Sequence, residues 1–473
     1  MLFPTYQFLV FFIIIFSFGI SLKRKVGLYK LFLLVSSLVF YSFWSLQFLA
    51  LLVASTVVNY LILLGLSRAQ STKKLFLILG ITVNCLYLGI FKYYNFFADA
   101  LFDLLNAIKL QWSFQTIQIL VPVGVSFYTF RMIAHLVDCY HLKIACPKFL
   151  DYATYITYFP QIAAGPIARP KEFYQQLNSP HKYDYQIEEA LVLILSGLFK
   201  KYTLSSFLFN FTELPFSSPQ QYSSIDLFLA AIAYSCLIYV DFSGYSDLAN
   251  GISCLLGFAP IQNFKMPYCS LSLQEFWRRW HISLSEWLRD YIYISLGGNQ
   301  QGKFRKYLNL FLTLSIGGFW HGAGLNFIIW GSLHGLGLVV NHAVKDLKLN
   351  FFAVKEGSLK SIAIKIFNWF LTFTFITLTW VIFKIKTWEN AELFLRGFFQ
   401  SYNLNFQFNF WQLYLVIFMV YWMNFYGQQI QIICLRIFSL RNIFFRVVLV
   451  SACVYAILRL GPSTVPPFIY FNF

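Results

Sequence analysis

The sequence predicts an all-α polytopic membrane protein of about eleven transmembrane helices, each span taking roughly 20 apolar residues. Three observations predict it. Of 473 residues, 58% are hydrophobic and 12% charged, with mean hydropathy +0.62, whereas a soluble domain carries about 25% charged residues. The apolar residues fall in long runs, not in the alternating segments of about ten residues that build a membrane β-barrel. The 36 Lys and Arg, set against 19 Asp and Glu, give a net charge of +17 and collect in short loops between the runs. Positive-inside topology and anionic lipid account for that charge. No nucleic-acid partner is expected.

The first run, 8–20, has no basic residue before it and is followed by Lys23, Arg24 and Lys25. No small-residue cleavage site follows. It reads as a first helix with its N-terminus outside, not as a secretory signal. Further runs lie at 28–42, 46–66, 75–94, 119–137, 152–168, 188–209, 225–240, 247–260, 308–316, 325–341, 362–383, 409–425 and 443–460. Several are too short to span alone, so re-entrant or half-helical pieces are expected. Loops 21–30, 67–74, 169–201 and 262–306 carry four, three, five and seven Lys/Arg, whereas 43–45 and 209–224 carry none. The basic group belongs on the cytoplasmic side. The eight cysteines form no CxxC pair and read as small buried hydrophobes, not as disulfides or a metal site. No linker, repeat or soluble insertion divides the chain, so 1–473 reads as a single integral membrane domain.

Three stretches break the simple pattern. Pro122 and Gly124 interrupt VPVGVSFYTF, and YFPQIAAGPIARP places four breakers, Pro160, Gly165, Pro166 and Pro170, within eleven residues. Neither can be a continuous helix. DFSGYSDLANG places Asp241, Ser243 and Asp247 between two apolar runs; the acids either cap helices or pair internally, or they line a polar cavity.

Residues 271–298, LSLQEFWRRWHISLSEWLRDYIYISLGG, predict one amphipathic helix. Ser272 and Glu275 have capping-box spacing, and Gly297 and Gly298 stop it. Steps of about 100° per residue place Phe276, Trp277, Trp280, Leu284, Trp287, Leu288 and Tyr291 in one sector. Arg278, Arg279, Ser283, Glu286, Arg289 and Asp290 fall opposite. This is the composition of a helix lying in the membrane interface, steadied by a Glu275–Arg279 pair. His281 sits at the edge of the aromatic sector, beside Ser285.

The next segment, 308–342, is apolar but broken by Gly317, Gly318, Gly322 and Gly324, with Trp320 and His321 among them. Such glycines could let backbone approach a substrate. A histidine there is either a satisfied core residue or a functional group in a polar cavity. His334 reads mainly as structural, with Gly331 and Gly335 at the spacing of close helix packing.

The runs QEFWRRWHISLSEWLRDYIYISLGG and GGFWHGAGLNFIIWGSLHG resemble the membrane-bound O-acyltransferase (MBOAT) family. The likeness is greatest to the bacterial branch of alginate O-acetylation and of teichoic acid D-alanylation. VPVGVSFYTF, FPQIAAGPIARPKEF, DFSGYSDLANGISCLLGF, NFKMPY, TWVIFK and the terminal PFIYFNF match in collinear order. The resemblance implies a ring of membrane helices around a central tunnel, with 271–342 as the segment carrying both functional histidines. It implies that His321 is the catalytic histidine and His281 the second one. Trp320, Trp277, Trp280, Ser285, Asp290, Ser243, Asn263 and His334 are then candidates for the substrate tunnel. Arg131, His135 and His141 depart from the glutamine, tyrosine and arginine usual in the family.

The implied reaction moves an acyl group, most simply acetyl, from a cytosolic thioester to hydroxyls of an extracytoplasmic polysaccharide, directly or through a periplasmic or extracellular acetyltransferase partner. The co-substrate is acetyl-CoA or an acyl carrier protein; no permanently bound cofactor and no metal are expected. Lys265, Arg278 and Arg279 would draw the anionic donor, or would simply meet lipid headgroups. The setting is the bacterial cytoplasmic (inner) membrane. D-alanyl transfer to a teichoic-acid-like polymer is an alternative. A non-catalytic transporter is another, although no inverted repeat supports it.

Overall fold

The computed structural model describes residues 3, 5–108, 118–180, 187–347, 358–385, 387–400, 411–439, 442–462, 466 and 468–472. These form helices and connecting turns, with no strand among the described residues. Among the described residues, seven helices are long and apolar enough to cross a membrane, and the apolar helices Tyr6–Leu22 and Val26–Ser42 are shorter. The protein is a multi-pass, all-helical membrane protein.

The chain forms two compact units, Met1–Ala190 with Ala249–Ile261, and Leu191–Leu248 with Gln262–Phe473. In the first, Gly124 takes a left-handed conformation (φ +72°) and starts the Val125–Tyr140 helix. A Cβ there would sit 3.2 Å from the Ala163 Cα, so VPVG is a helix start pressed against the proline-rich stretch. That stretch is divided as expected, into Phe149–Thr157, Phe159–Ile162 and, after Arg169, Pro170–Asn178. Buried Arg131 donates to the Tyr155 carbonyl at 3.0 Å and to Gln161 Oε1 at 3.1 Å. Buried His135 lies edge-on to Tyr152. His141 caps its helix and is exposed. All eight cysteines are free thiols; Cys139, Cys236 and Cys254 are buried, whereas Cys85 is exposed and the other four are half-buried.

The helix Ser224–Leu255 runs unbroken through DFSGYSDLANG, which corrects the expected interruption. Its acids are neutralised from a distant turn: Asp241 meets Lys201 at 2.5 Å and Asp247 meets Lys200 at 2.7 Å. A carboxylate in an apolar helix is tolerated once paired, so the charges do not mark a break.

The segment 271–298 is not one helix. Ser272 caps Leu273–Arg279 through the Glu275 N–H, and Glu275 pairs with Arg279 at 2.7 Å, as expected. The helix then stops. His281 takes a left-handed conformation (φ +42°) and begins a second short helix, Ile282–Leu288, which passes into a π-turn at Arg289–Tyr293. Gly297 and Gly298 end the segment with positive φ. The division by face survives the kink, because every residue of the aromatic sector is buried. It is buried against protein, not laid on a membrane interface.

The Gly302–His321 and Leu325–Asp346 helices form a hairpin. Gly318 and Gly331 face each other so closely that a Cβ on Gly331 would lie 2.8 Å from the Gly318 Cα. Gly322 is covered by the Phe327 ring, and Gly317 faces Leu288. Gly318 and Gly331 thus serve helix–helix approach, while Gly317 and Gly322 are met by side chains.

Candidate active site

His321 is the last residue of the Gly302–His321 helix and is buried. Its ring packs within an aromatic box of Trp320, Trp330, Phe383 and Tyr470, with centroid separations of 4.9, 5.1, 5.4 and 5.5 Å. His281, fully buried at its kink, lies edge-on to Phe242 at 4.6 Å and 6.4 Å from Trp320. Trp320 therefore touches both histidines. A second bridge runs through Phe242, whose ring meets Tyr470 at 4.6 Å. The two histidines, forty residues apart in sequence, share one aromatic cluster.

The support of His281 is polar. Its Nδ1 lies 3.1 Å from Asn263 Oδ1, which also accepts from the Ser283 N–H and hydroxyl at 3.3 and 2.9 Å. Asn263 Nδ2 donates to Ser246 Oγ at 3.1 Å, and the Asn263 carbonyl accepts from Ile282 N–H at 2.9 Å. Burial pushes the His281 imidazole well below its ordinary pKa, because desolvation disfavours the cation.

Tyr470 lies in the PFIYFNF ending, and only the fold gives it a place beside His321. The Ile469 N–H donates to Asp241 Oδ2 at 2.9 Å and Lys201 Nζ donates to the Pro466 carbonyl at 3.2 Å. Phe468 stacks on Tyr245 at 4.6 Å. The Lys201–Asp241 pair thus latches the C-terminal segment onto the Ser224–Leu255 helix.

Trp330, which walls His321, also packs against His334 at 4.8 Å and Trp277 at 5.8 Å, so these two candidates adjoin the same cluster. Trp277 packs against Trp330 and His334, whose Nε2 lies 3.0 Å from Thr379 Oγ1. His334 is thus buried with a polar partner at Nε2, and Gly335 beside it meets the Phe311 backbone. Trp280 is buried between Phe264, Phe276 and Trp380. Ser243 is buried one residue beyond Phe242. Ser285 donates to the Trp280 carbonyl at 3.2 Å. Asp290 is paired with Arg289 at 2.7 Å, away from the aromatic cluster.

The three basic candidates do not line one cavity. Arg278 joins Arg289, His342, Ser285 and Trp277 in lining a cavity of about 380 Å³. Lys265 lines a different cavity of about 430 Å³, with the Lys200–Asp247 pair, Met419, Met423 and Trp422. Arg279 lines neither of these two and is spent on Glu275 and the Lys265 carbonyl.

The structure thus places two buried histidines at breaks in the helical segment 271–342 of a multi-pass protein. The sequence profile of the MBOAT, membrane-bound O-acyltransferase family matches residues 36–383. The chain belongs to that family and is an acyltransferase. It is 38% identical over 418 residues to the probable alginate O-acetylase AlgI of Pseudomonas aeruginosa, covering 87% of this chain and 76% of that one. It is 38% identical over 400 residues to the peptidoglycan O-acetyltransferase of Helicobacter pylori, covering 78% and 73%. The teichoic acid D-alanyltransferase of Streptococcus thermophilus is 29% identical over 282 residues, covering 55% and 68%.

Proposed function

We propose that this acyltransferase moves an acetyl group from a cytosolic thioester donor to hydroxyls of an extracytoplasmic polysaccharide, directly or by way of a partner acetyltransferase. It acts in the bacterial cytoplasmic membrane with its N-terminus outside, and 271–342 carries the chemistry of a single acyltransferase domain. The observation that carries the reading is the convergence of His281 and His321 on Trp320. The O-acetylase names of the two relatives matched over most of the chain favour acetyl over D-alanyl.

His321 removes the proton of the attacking hydroxyl. The hydroxyl oxygen forms the new C–O bond to the thioester carbonyl, the C–S bond breaks, and the proton returns to the leaving thiolate. His281 orients a substrate. A positioned base of this kind is worth about 10²–10⁴-fold. The donor, acetyl-CoA or an acyl carrier protein, is drawn by its phosphate to the Arg278–Arg289–His342 rim of the smaller cavity, whose wall includes Trp277.

The test is complementation. Cells whose only copy is His321→Ala should lose base-labile acetate from their envelope polysaccharide while keeping normal amounts of the protein in the membrane. Wild-type acetate from that variant would overturn the proposal.

A further inference from the structure

His281 stands in a conformation that non-glycine residues seldom adopt, at φ +42°. Such outliers cost about 1–3 kcal/mol and persist only where their surroundings over-determine them. One residue does most of the determining. Asn263 receives the main-chain N–H of Ile282 on its carbonyl, and the main-chain N–H of Ser283 on its side-chain oxygen. The two amides that follow the kink are thereby both satisfied by the same residue.

That arrangement settles which way the Asn263 amide points. A main-chain N–H can only donate, so the Asn263 atom facing Ser283 N is the oxygen. The same oxygen faces His281 Nδ1 at 3.1 Å. An amide oxygen only accepts, so His281 Nδ1 must carry the hydrogen. Ser246 Oγ, 3.1 Å from Asn263 Nδ2, accepts on the other side. A neutral imidazole with its proton on Nδ1 has a bare lone pair on Nε2. Nε2 of His281 is buried and makes no hydrogen bond among the described residues.

We propose that Asn263 is a positioning residue that fixes His281 as the Nδ1–H tautomer, so that Nε2 accepts a hydrogen bond from a substrate O–H or N–H. The consequence is chemical. His281 in this state cannot donate to the thioester carbonyl or to the oxyanion that forms from it. The group it holds is a hydroxyl or amide N–H of a substrate. Free histidine in water favours the opposite tautomer, so removing the acceptor on Nδ1 releases the ring to the wrong form. This inference rests on the proposed acyl transfer for its consequence, while the tautomer itself can be read without any substrate.

The experiment is ¹⁵N NMR of the full-length protein in detergent with labelled histidines, His281 being assigned by its loss in His281→Gln. The wild type should show a protonated Nδ1 and an unprotonated Nε2 at position 281. Asn263→Asp keeps an acceptor oxygen, and Ser246 can turn its hydroxyl to donate; it should keep the tautomer and most of the polysaccharide acetate. Asn263→Leu should lose the tautomer and lower acetate by about 10²-fold, the lower end of what a positioned imidazole contributes. Comparable membrane yield and melting temperature of the Asp and Leu variants exclude simple misfolding. A wild-type spectrum with Nε2 protonated overturns the proposal, as does wild-type acetate from Asn263→Leu. Full activity of His281→Ala alongside the expected wild-type spectrum would instead overturn the role given to His281 in the reaction. The two failures are distinguishable.

Discussion

His281 and His321 are both buried, both at helix ends and both against Trp320, yet the backbone that carries each is different. His321 is the terminal residue of a 20-residue helix, and aromatic rings surround it. His281 sits between two seven-residue helices in a left-handed kink, and hydrogen bonds to one asparagine hold it. A directional acceptor such as Asn263 Oδ1 chooses the tautomer of the ring it meets. The proposed roles divide accordingly: His321 is the base, whereas His281 presents one nitrogen in one state.

The sharpest way to break that division is to delete each ring in turn. His321→Ala should bring polysaccharide acetylation down by about 10²–10⁴-fold. His281→Ala should lower it as well, but thioester hydrolysis by purified protein, which needs no polysaccharide acceptor, should survive better in His281→Ala than in His321→Ala. Equal losses in both assays would remove the distinction.

The next largest effect concerns the latch that brings Tyr470 to His321. Asp241→Asn leaves the buried Lys201 ammonium without its carboxylate, and breaking one partner of a buried pair costs about 3–5 kcal/mol. The amide still accepts from Ile469 N–H, so the lower end is expected. The melting temperature in detergent should fall, and acetylation should fall with it. Asp247→Asn, whose pair lies beside the larger cavity, should leave acetylation closer to wild type.

Much of this could be read from the residues, and the exceptions have physical reasons. Helical membrane character follows from composition, and both histidines stand out as polar groups in apolar segments. The buried aromatic sector of 271–298 is legible too, because one kinked residue barely shifts the faces on either side of it. The kink is not legible: WRRWHISLSEW continues the helical period through His281, and the residue that enforces the break, Asn263, lies outside the segment. The opposite error at DFSGYSDLANG has the same origin. Two carboxylates look like a break until Lys200 and Lys201, some forty residues away, are seen to neutralise them. Tyr470 is the extreme case, since no local pattern connects PFIYFNF to a histidine about 150 residues earlier.

Within the hairpin that ends in His321, Gly331→Ala measures how far the glycines serve packing alone. The added methyl would meet the Gly318 backbone, and overpacking of this kind costs about 1–3 kcal/mol. The expected result is a lower melting temperature in detergent, with acetylation per folded molecule retained. Loss of acetylation at unchanged melting temperature would return the glycines to the chemistry.

The smallest effect separates cations that look alike in sequence. Arg278 and Arg279 are adjacent, but Arg278 is exposed at the rim of the smaller cavity, while Arg279 is bound to Glu275 and to the Lys265 carbonyl. An exposed cation contributes at most about 1 kcal/mol to an ionic contact. It acts on bound substrate and transition state alike, so its loss raises KM without lowering kcat. Arg278→Ala should therefore raise the KM for acetyl-CoA, in thioester hydrolysis by purified protein, by roughly two- to fivefold. The increase should shrink as salt rises, because exposed charges more than about 8–10 Å apart are screened at ordinary ionic strength. Arg279→Ala should leave KM unchanged and instead weaken the helix that precedes His281. If Arg279→Ala raises KM as much as Arg278→Ala, the donor does not enter by this cavity, and the basic residues serve the surface of the membrane instead.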